Sequence, residues 1–195
     1  MGMRVLLLAL WLALPARAEA PLSASDPWTL VEGATRAGLS WPPPDVTVAI
    51  DKSSRALTIQ SGGVALKRYR VGLGDPVGDK VRQGDRKTPE GALRIVTKNR
   101  QSQFHRFLGL NYPTAEDADR GLRDGLITAS QAQSIRTADK AGRTPLWETK
   151  LGGAVGIHGG GGEVDWTLGC IAVTDAEIEE IWEVVSVGTP VVISD

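Results

Sequence analysis

Gly156 to Asp175 reads GIHGGGGEVDWTLGCIAVTD and holds the only cysteine of the 195-residue chain together with one of its two histidines. Cys170 follows His158 by twelve residues, and four glycines come directly after the histidine. A thiol attacks as its thiolate, and at neutral pH an ordinary cysteine is only slightly ionised, so a base must take its proton. His158 is the one plausible base on this stretch, its imidazole titrating near neutrality. The helix after Cys170 begins about four residues further on, too far for its dipole to help. Glycines let backbone approach a substrate and turn N–H groups inward. The amides of Gly169 and Cys170 could then hold the oxyanion of a tetrahedral intermediate. The chemistry indicated is nucleophilic acyl transfer. The bland alternatives are a flexible hairpin tip at Gly159 to Gly162 and an inert buried thiol, free cysteine being among the most buried residue types.

Rival chemistries find less support. HGGG also forms the oxyanion loop of lipase-like hydrolases, but no G-x-S-x-G elbow accompanies it. Zinc needs four ligands, or three and a water. His105, in QFHRF, is the other histidine and reads as structural or surface; no metal site and no cofactor are expected. No G-x-x-x-x-G-K-[ST] phosphate loop occurs.

The elements that must position these residues begin with an export signal. Arg4 precedes an unbroken apolar run, Val5 to Leu14, which Pro15 ends, and Ala16-Arg17-Ala18 has the small-x-small form of a cleavage site. Residues 1–18 are expected to be a signal peptide and the product to reach the periplasm or cell envelope. The run is too short to span a bilayer, and no later segment is long and apolar enough. Cleavage would remove two arginines from a chain of net charge −1, which argues against a nucleic-acid or general polyanion partner. Exported proteins use cysteines in pairs, so a lone one is an intermolecular bridge or a thiol with a task.

Residues 19–44 read as a Pro-rich lead-in, with a short helix in DPWTLVEGATRAG packing Trp28 or Trp41 on a domain that spans 45–195. Val46, Val48 and Ile50 alternate, a polar turn follows at Asp51 to Ser54, and Leu57, Ile59, Val64, Leu66, Tyr69 and Val71 continue a strand meander through a Gly62-Gly63 turn. In KTPEGALRIV, Pro89 opens a turn closed by Gly91, and a strand runs through Ile95. The apolar approach to His158 reads as a strand end, as does IAV after Cys170. Residues 114–141 are charged and alanine-rich, predicting one or two exposed helices that form a lid or side wall. TDAEIEEIWEVV opens with a capping box, Thr174 and Glu177. Ile178, Ile181, Trp182 and Val185 then give one apolar stripe, so this helix is core. PVVIS closes the chain as a strand.

With these residues in view, the sequence resembles the L,D-transpeptidase (YkuD-like) catalytic domain over roughly residues 45–195. IHGGGG…DWTLGCIAVTD is similar to its His-Gly and Ser/Thr-x-Gly-Cys signature, VAIDKSSRALTIQSGGVALKRYRVGLG to its opening hairpin, and GDRKTPEGALRI to its Thr-Pro-x-Gly turn. LGLNYPTAEDADRG and LGGAVGIHG resemble the branch with a helical insert. The resemblance implies a mainly β fold, a β-sandwich with a helical insert and a cleft holding the cysteine. It implies a peptidoglycan substrate: Cys170 attacks the carbonyl of the third stem-peptide residue, D-alanine leaves, and an amine of a second stem or water resolves the thioester. His158 would be the base, the Gly159 carbonyl would hold its other ring nitrogen, and Gly169, Thr167 and Trp166 would serve the oxyanion or substrate. No cofactor or metal is implied.

Many members of that family carry His where Leu168 stands and Arg where Ala172 stands. Relatives with Cys-x-Ala include enzymes that cleave peptidoglycan attachments, so a hydrolase, with an envelope protein attached to peptidoglycan as partner, stands beside the transpeptidase. A non-catalytic envelope-binding module and a thiol-linked dimer are the alternatives from other classes. Trp166 would stack on substrate or pack. Arg82, Arg86 and Lys87 would meet acidic stem peptides or form a solvated loop.

Overall fold

The structure, a computed structural model, describes residues 24–75 and 77–195. The expected signal peptide lies outside them. The meander is β1 (Val46–Asp51), β2 (Ala56–Ser61) and β3 (Val64–Arg70). Its strands are antiparallel, Val46 opposite Ser61 and Ala56 opposite Arg70. Alternation sends Val48, Ile50, Leu57 and Ile59 into one core, and a register shift opposite Ile59/Gln60 lets both Leu66 and Tyr69 join it. Then come β4 (Gly91–Ser102), β5 (His105–Leu110), β6 (Gly156–His158), β7 (Ile171–Ala172) and β8 (Pro190–Ser194).

The strands join in the order β3-β2-β1-β8-β4-β5-β6-β7. β4 makes the corner. Gly91 to Arg94 pair with β8, whereas Ile95 to Ser102 pair with β5 through irregular register at Ile95/Thr97 and Asn99/Ser102. Such irregularities bend a strand and raise its twist. Gly72, just past β3, exchanges two backbone hydrogen bonds with Ala172 of β7, at 2.9 and 2.8 Å. The two ends of the strand order therefore meet. The result is the mainly β fold expected, its two faces being halves of one curled sheet. The strand expected through Ile95 runs on to Ser102 and turns back as β5, which local sequence did not reveal.

Among the described residues the helices are α1 (Leu30–Arg36), α2 (Ala115–Arg123), α3 (Ala129–Lys140) and α4 (Asp175–Val184), and each starts at a threonine that closes a capping box. In α4, Ile178, Ile181 and Trp182 enter the core, each such side chain contributing roughly 1.5–3 kcal/mol. Lys98 Nζ donates to the carbonyls of Trp182 (2.9 Å) and Val185 (2.8 Å) and closes the helix end. α1 covers the edge strand β3. Leu30 and Ala34 join the main core, Trp28 Nε1 donates to Leu66 O at 3.0 Å, and Trp41 stays exposed. The core thus extends upstream of Asp45.

α2 and α3 bury Ala118, Ile127, Ala132 and Ile135 with Leu151 in a small core of their own. Asp139 accepts from Arg94 (2.6 Å) and Asn111 (2.8 Å), and Tyr112 OH donates to Leu151 O at 3.1 Å. These bonds dock the insert on the sheet as a side wall.

Candidate active site

β6 and β7 run parallel, with Ile157 opposite Ile171 and His158 opposite Ala172. Continuing that register sets Cys170 beside Gly156. Alternation then decides the faces. Ile157, Ile171 and Val173 point into the main core, so Gly156, His158, Cys170 and Ala172 share the opposite face. Two residues along a strand and one strand across separate the Cys170 and His158 backbones by about 8 Å.

His158 is 2 % exposed. Phe104 stacks on its ring at 4.6 Å between centroids and Trp166 meets it edge-on at 5.6 Å. Its Nδ1 lies 2.6 Å from Gly159 O. A carbonyl only accepts, so Nδ1 carries the proton and Nε2 keeps a free lone pair. Burial pushes the imidazole pKa down, against the opposing effect of the Gly159 hydrogen bond. Cys170 is half-buried, and its thiol donates to Ala154 O at 3.7 Å. Burial pushes the thiol pKa up; the Gly156 N–H and the Lys80 charge act the other way and do not overcome it. Both shifts favour neutral groups at rest.

Thr167 organises the turn before the thiol. It is 3 % exposed; its Oγ1 accepts from Gly169 N at 3.1 Å and donates to Cys170 O at 2.8 Å. The Gly169 amide, expected to face an oxyanion, is therefore engaged within the turn. Gly169 sits at φ +124, and a Cβ there would lie 2.5 Å from Lys87 O. Asp165 holds the loop from the other side. Its Oδ1 accepts from Leu73 N at 2.9 Å and its Oδ2 from Arg55 at 2.8 and 3.0 Å. Trp166 Nε1 donates to Gly161 O at 3.0 Å and its ring meets Phe104, which fixes it while leaving it 36 % exposed.

The sequence pattern of the L,D-transpeptidase catalytic domain (YkuD) matches residues 45–193. The chain belongs to the L,D-transpeptidase catalytic-domain family. No curated protein matches the sequence significantly. Among solved structures, the helical cell shape determining protein Pgp2 from Campylobacter jejuni is 20 % identical with a TM-score of 0.53, covering 80 % of this chain and 49 % of that one. Bd1075 of Bdellovibrio bacteriovorus is 19 % identical with a TM-score of 0.50, covering 80 % of this chain and 50 % of that one. An L,D-transpeptidase fragment from Xylanimonas cellulosilytica is 15 % identical with a TM-score of 0.47, covering 84 % and 68 %. The chain spans about half the length of the first two, and at these identities the likeness is one of fold.

Against the L,D-transpeptidase pattern, Leu168 is 76 % exposed and Ala172 fully buried. Several neighbours of the site escaped sequence reading. Phe104 lies beside the singled-out His105, yet Phe104 stacks on His158 while His105 pairs with Glu179 at 2.5 Å. Asp175 accepts from Gly160 N at 2.9 Å. Lys80 and Asp85, beside and within the charged stretch of Arg82 to Lys87, form an ion pair of 2.8 Å with side chains only 4 % and 7 % exposed. Two cavities of about 360 Å³ lie on the insert near Thr137 and beside Ser25 and Glu177; neither is lined by Cys170 or His158.

Proposed function

We propose that this L,D-transpeptidase family member is an exported cysteine acyltransferase of peptidoglycan remodelling, with Cys170 as nucleophile and His158 as base. The reading is supported above all by the face that Cys170 and His158 share on adjacent strands, together with the tautomer that the Gly159 carbonyl imposes on His158. Cys170 Sγ attacks the carbonyl carbon of the third stem-peptide residue while His158 Nε2 takes the thiol proton. The oxyanion collapses, the bond to D-alanine breaks, and His158 returns the proton to the leaving amine. A side-chain amine of a second stem then attacks the thioester, His158 again moving the proton, and the thiol is released. Because both groups rest neutral, proton transfer accompanies attack.

Hydrolysis, with water in place of the second amine, is the alternative that Ala172 favours: buried and uncharged, it offers nothing to orient a carboxylate-bearing acceptor. An attached envelope protein would then be the released partner. Trp166, exposed beside His158, is assigned to substrate contact. Incubating the protein and Cys170→Ala with disaccharide-tetrapeptides and whole sacculi, with products read by mass spectrometry, separates the outcomes. New links between third residues or D-alanine exchange mark the transpeptidase; freed monomers or freed protein mark the hydrolase. Products identical to those with Cys170→Ala would contradict both.

A further inference from the structure

Lys80 is 3 % exposed although its loop is rich in charge. Its Nζ donates to Asp85 Oδ1 at 2.8 Å and Arg82 O at 3.1 Å. A buried ion pair is a weak source of stability compared with apolar packing of the same shape. Its placement is therefore informative. A Cβ at Gly169 would lie 3.8 Å from Lys80 Nζ, so the ammonium stands directly behind the turn that carries Cys170. Asp85 is fixed in turn by the N–H groups of Val81 (2.8 Å), Arg82 (2.9 Å) and Lys87 (3.1 Å). From α2, Arg120 donates to Lys80 O at 2.8 Å, Asp79 at 3.2 Å and Asp117 at 2.6 Å, and the Tyr112 ring lies 5.9 Å from Nζ. The charged side chains that these contacts place around Lys80 are Asp85, Asp79, Asp117 and Arg120. Asp85 alone of them bonds its ammonium, while Asp79 and Asp117 are taken up by Arg120.

We propose that Lys80 is a positioning residue for acyl transfer, a fixed buried cation behind Gly169 and Cys170 that favours negative charge on the thiol sulfur and on the oxyanion formed beside it, with Asp85 aiming and attenuating that cation. The proposal rests on Cys170 being the nucleophile. His158 remains the group that moves the proton. The Lys80 charge also opposes the effect of burial on the thiol. The insert is thereby linked to the site, since Arg120 anchors the backbone of Lys80.

The test is thiolate absorbance near 240 nm against pH on the whole chain, with Cys170→Ala as the blank for tyrosine ionisation, and iodoacetamide alkylation at pH 7. Lys80→Met removes the cation from behind the turn and should raise the apparent pKa of the thiol by about one unit, slowing alkylation about tenfold. Asp85→Asn leaves the cation unattenuated and should move the pKa in the opposite direction. Lys80→Arg should titrate near wild type. A mere structural staple would send Lys80→Met and Asp85→Asn the same way or leave both unmoved, and either result overturns the proposal. Circular dichroism checks folding; if Lys80→Met does not fold, the downward shift in Asp85→Asn and the wild-type titration of Lys80→Arg decide, and failure of either overturns it. These readouts need no peptidoglycan. A protein that titrates as predicted yet leaves sacculi unchanged would sink the functional reading alone.

Discussion

Thr167→Val isolates the turn that carries Cys170. Valine keeps the shape of threonine and removes one oxygen, and that oxygen serves two backbone groups, accepting from Gly169 N at 3.1 Å and donating to Cys170 O at 2.8 Å. Thr167 is 3 % exposed, so water cannot readily replace it. Each buried polar group left without its partner costs about 1–3 kcal/mol, and partial relaxation brings the pair to about 2–4 kcal/mol. Part of this should appear as lower global stability and part as a looser Gly169–Cys170 turn. Urea unfolding followed by tryptophan fluorescence reads the first; the rate of Cys170 acylation by a carbapenem, followed by intact mass, reads the second. Thr167→Val should lose about 2–4 kcal/mol and acylate about tenfold more slowly, whereas Thr167→Ser should recover most of both. A valine variant within about 0.5 kcal/mol of wild type and acylated at the same rate would refute the two-bond account.

Other substitutions probe the surroundings. Phe104→Ala removes the 4.6 Å stack on His158; it should cost about 0.5–1.5 kcal/mol beyond lost burial and let the His158 pKa rise toward its ordinary value, read by NMR titration of the ring protons. Burial lowers the His158 pKa, so below the unfolded value of about 6.5 the unfolded chain binds more protons and stability falls with falling pH. The urea midpoint of wild type should accordingly drop more between pH 7 and 5 than that of His158→Gln, and equal drops would speak against it. Gly33→Ala places a Cβ against the Leu66 carbonyl. Displacing α1 from β3 in this way should cost about 1–3 kcal/mol, measured by thermal unfolding.

How much of this was legible in sequence follows from the range of each signal. The β1–β3 meander and α4 are written locally, in period-two alternation and in the Thr174–Glu177 box followed by an apolar stripe. β5 is not, because HRFLGL becomes a strand by pairing with β4 and β6 on either side. His158 and Cys170 stood out by residue type and glycine context, but their common face depends on the β6–β7 register. Phe104 reaches His158 only through the β5–β6 pairing. Lys52 stands in the expected polar turn and Lys80 just before the charged stretch of Arg82 to Lys87, yet both are buried against acidic partners, Glu90 and Asp85. Ion pairing across the chain leaves no periodic trace. Thr167 was visible as part of a motif, whereas its double hydrogen bond, and the resulting engagement of the Gly169 amide, required coordinates.

The most direct test of the central claim is intact-mass analysis of the protein mixed rapidly with a tetrapeptide-stem donor and quenched in acid. The account predicts a transient adduct equal to the donor less D-alanine, mapping to Cys170 by peptide digestion, absent from Cys170→Ala and sharply reduced in His158→Gln. Turnover of the donor with no adduct at Cys170, or turnover persisting in Cys170→Ala, would contradict it.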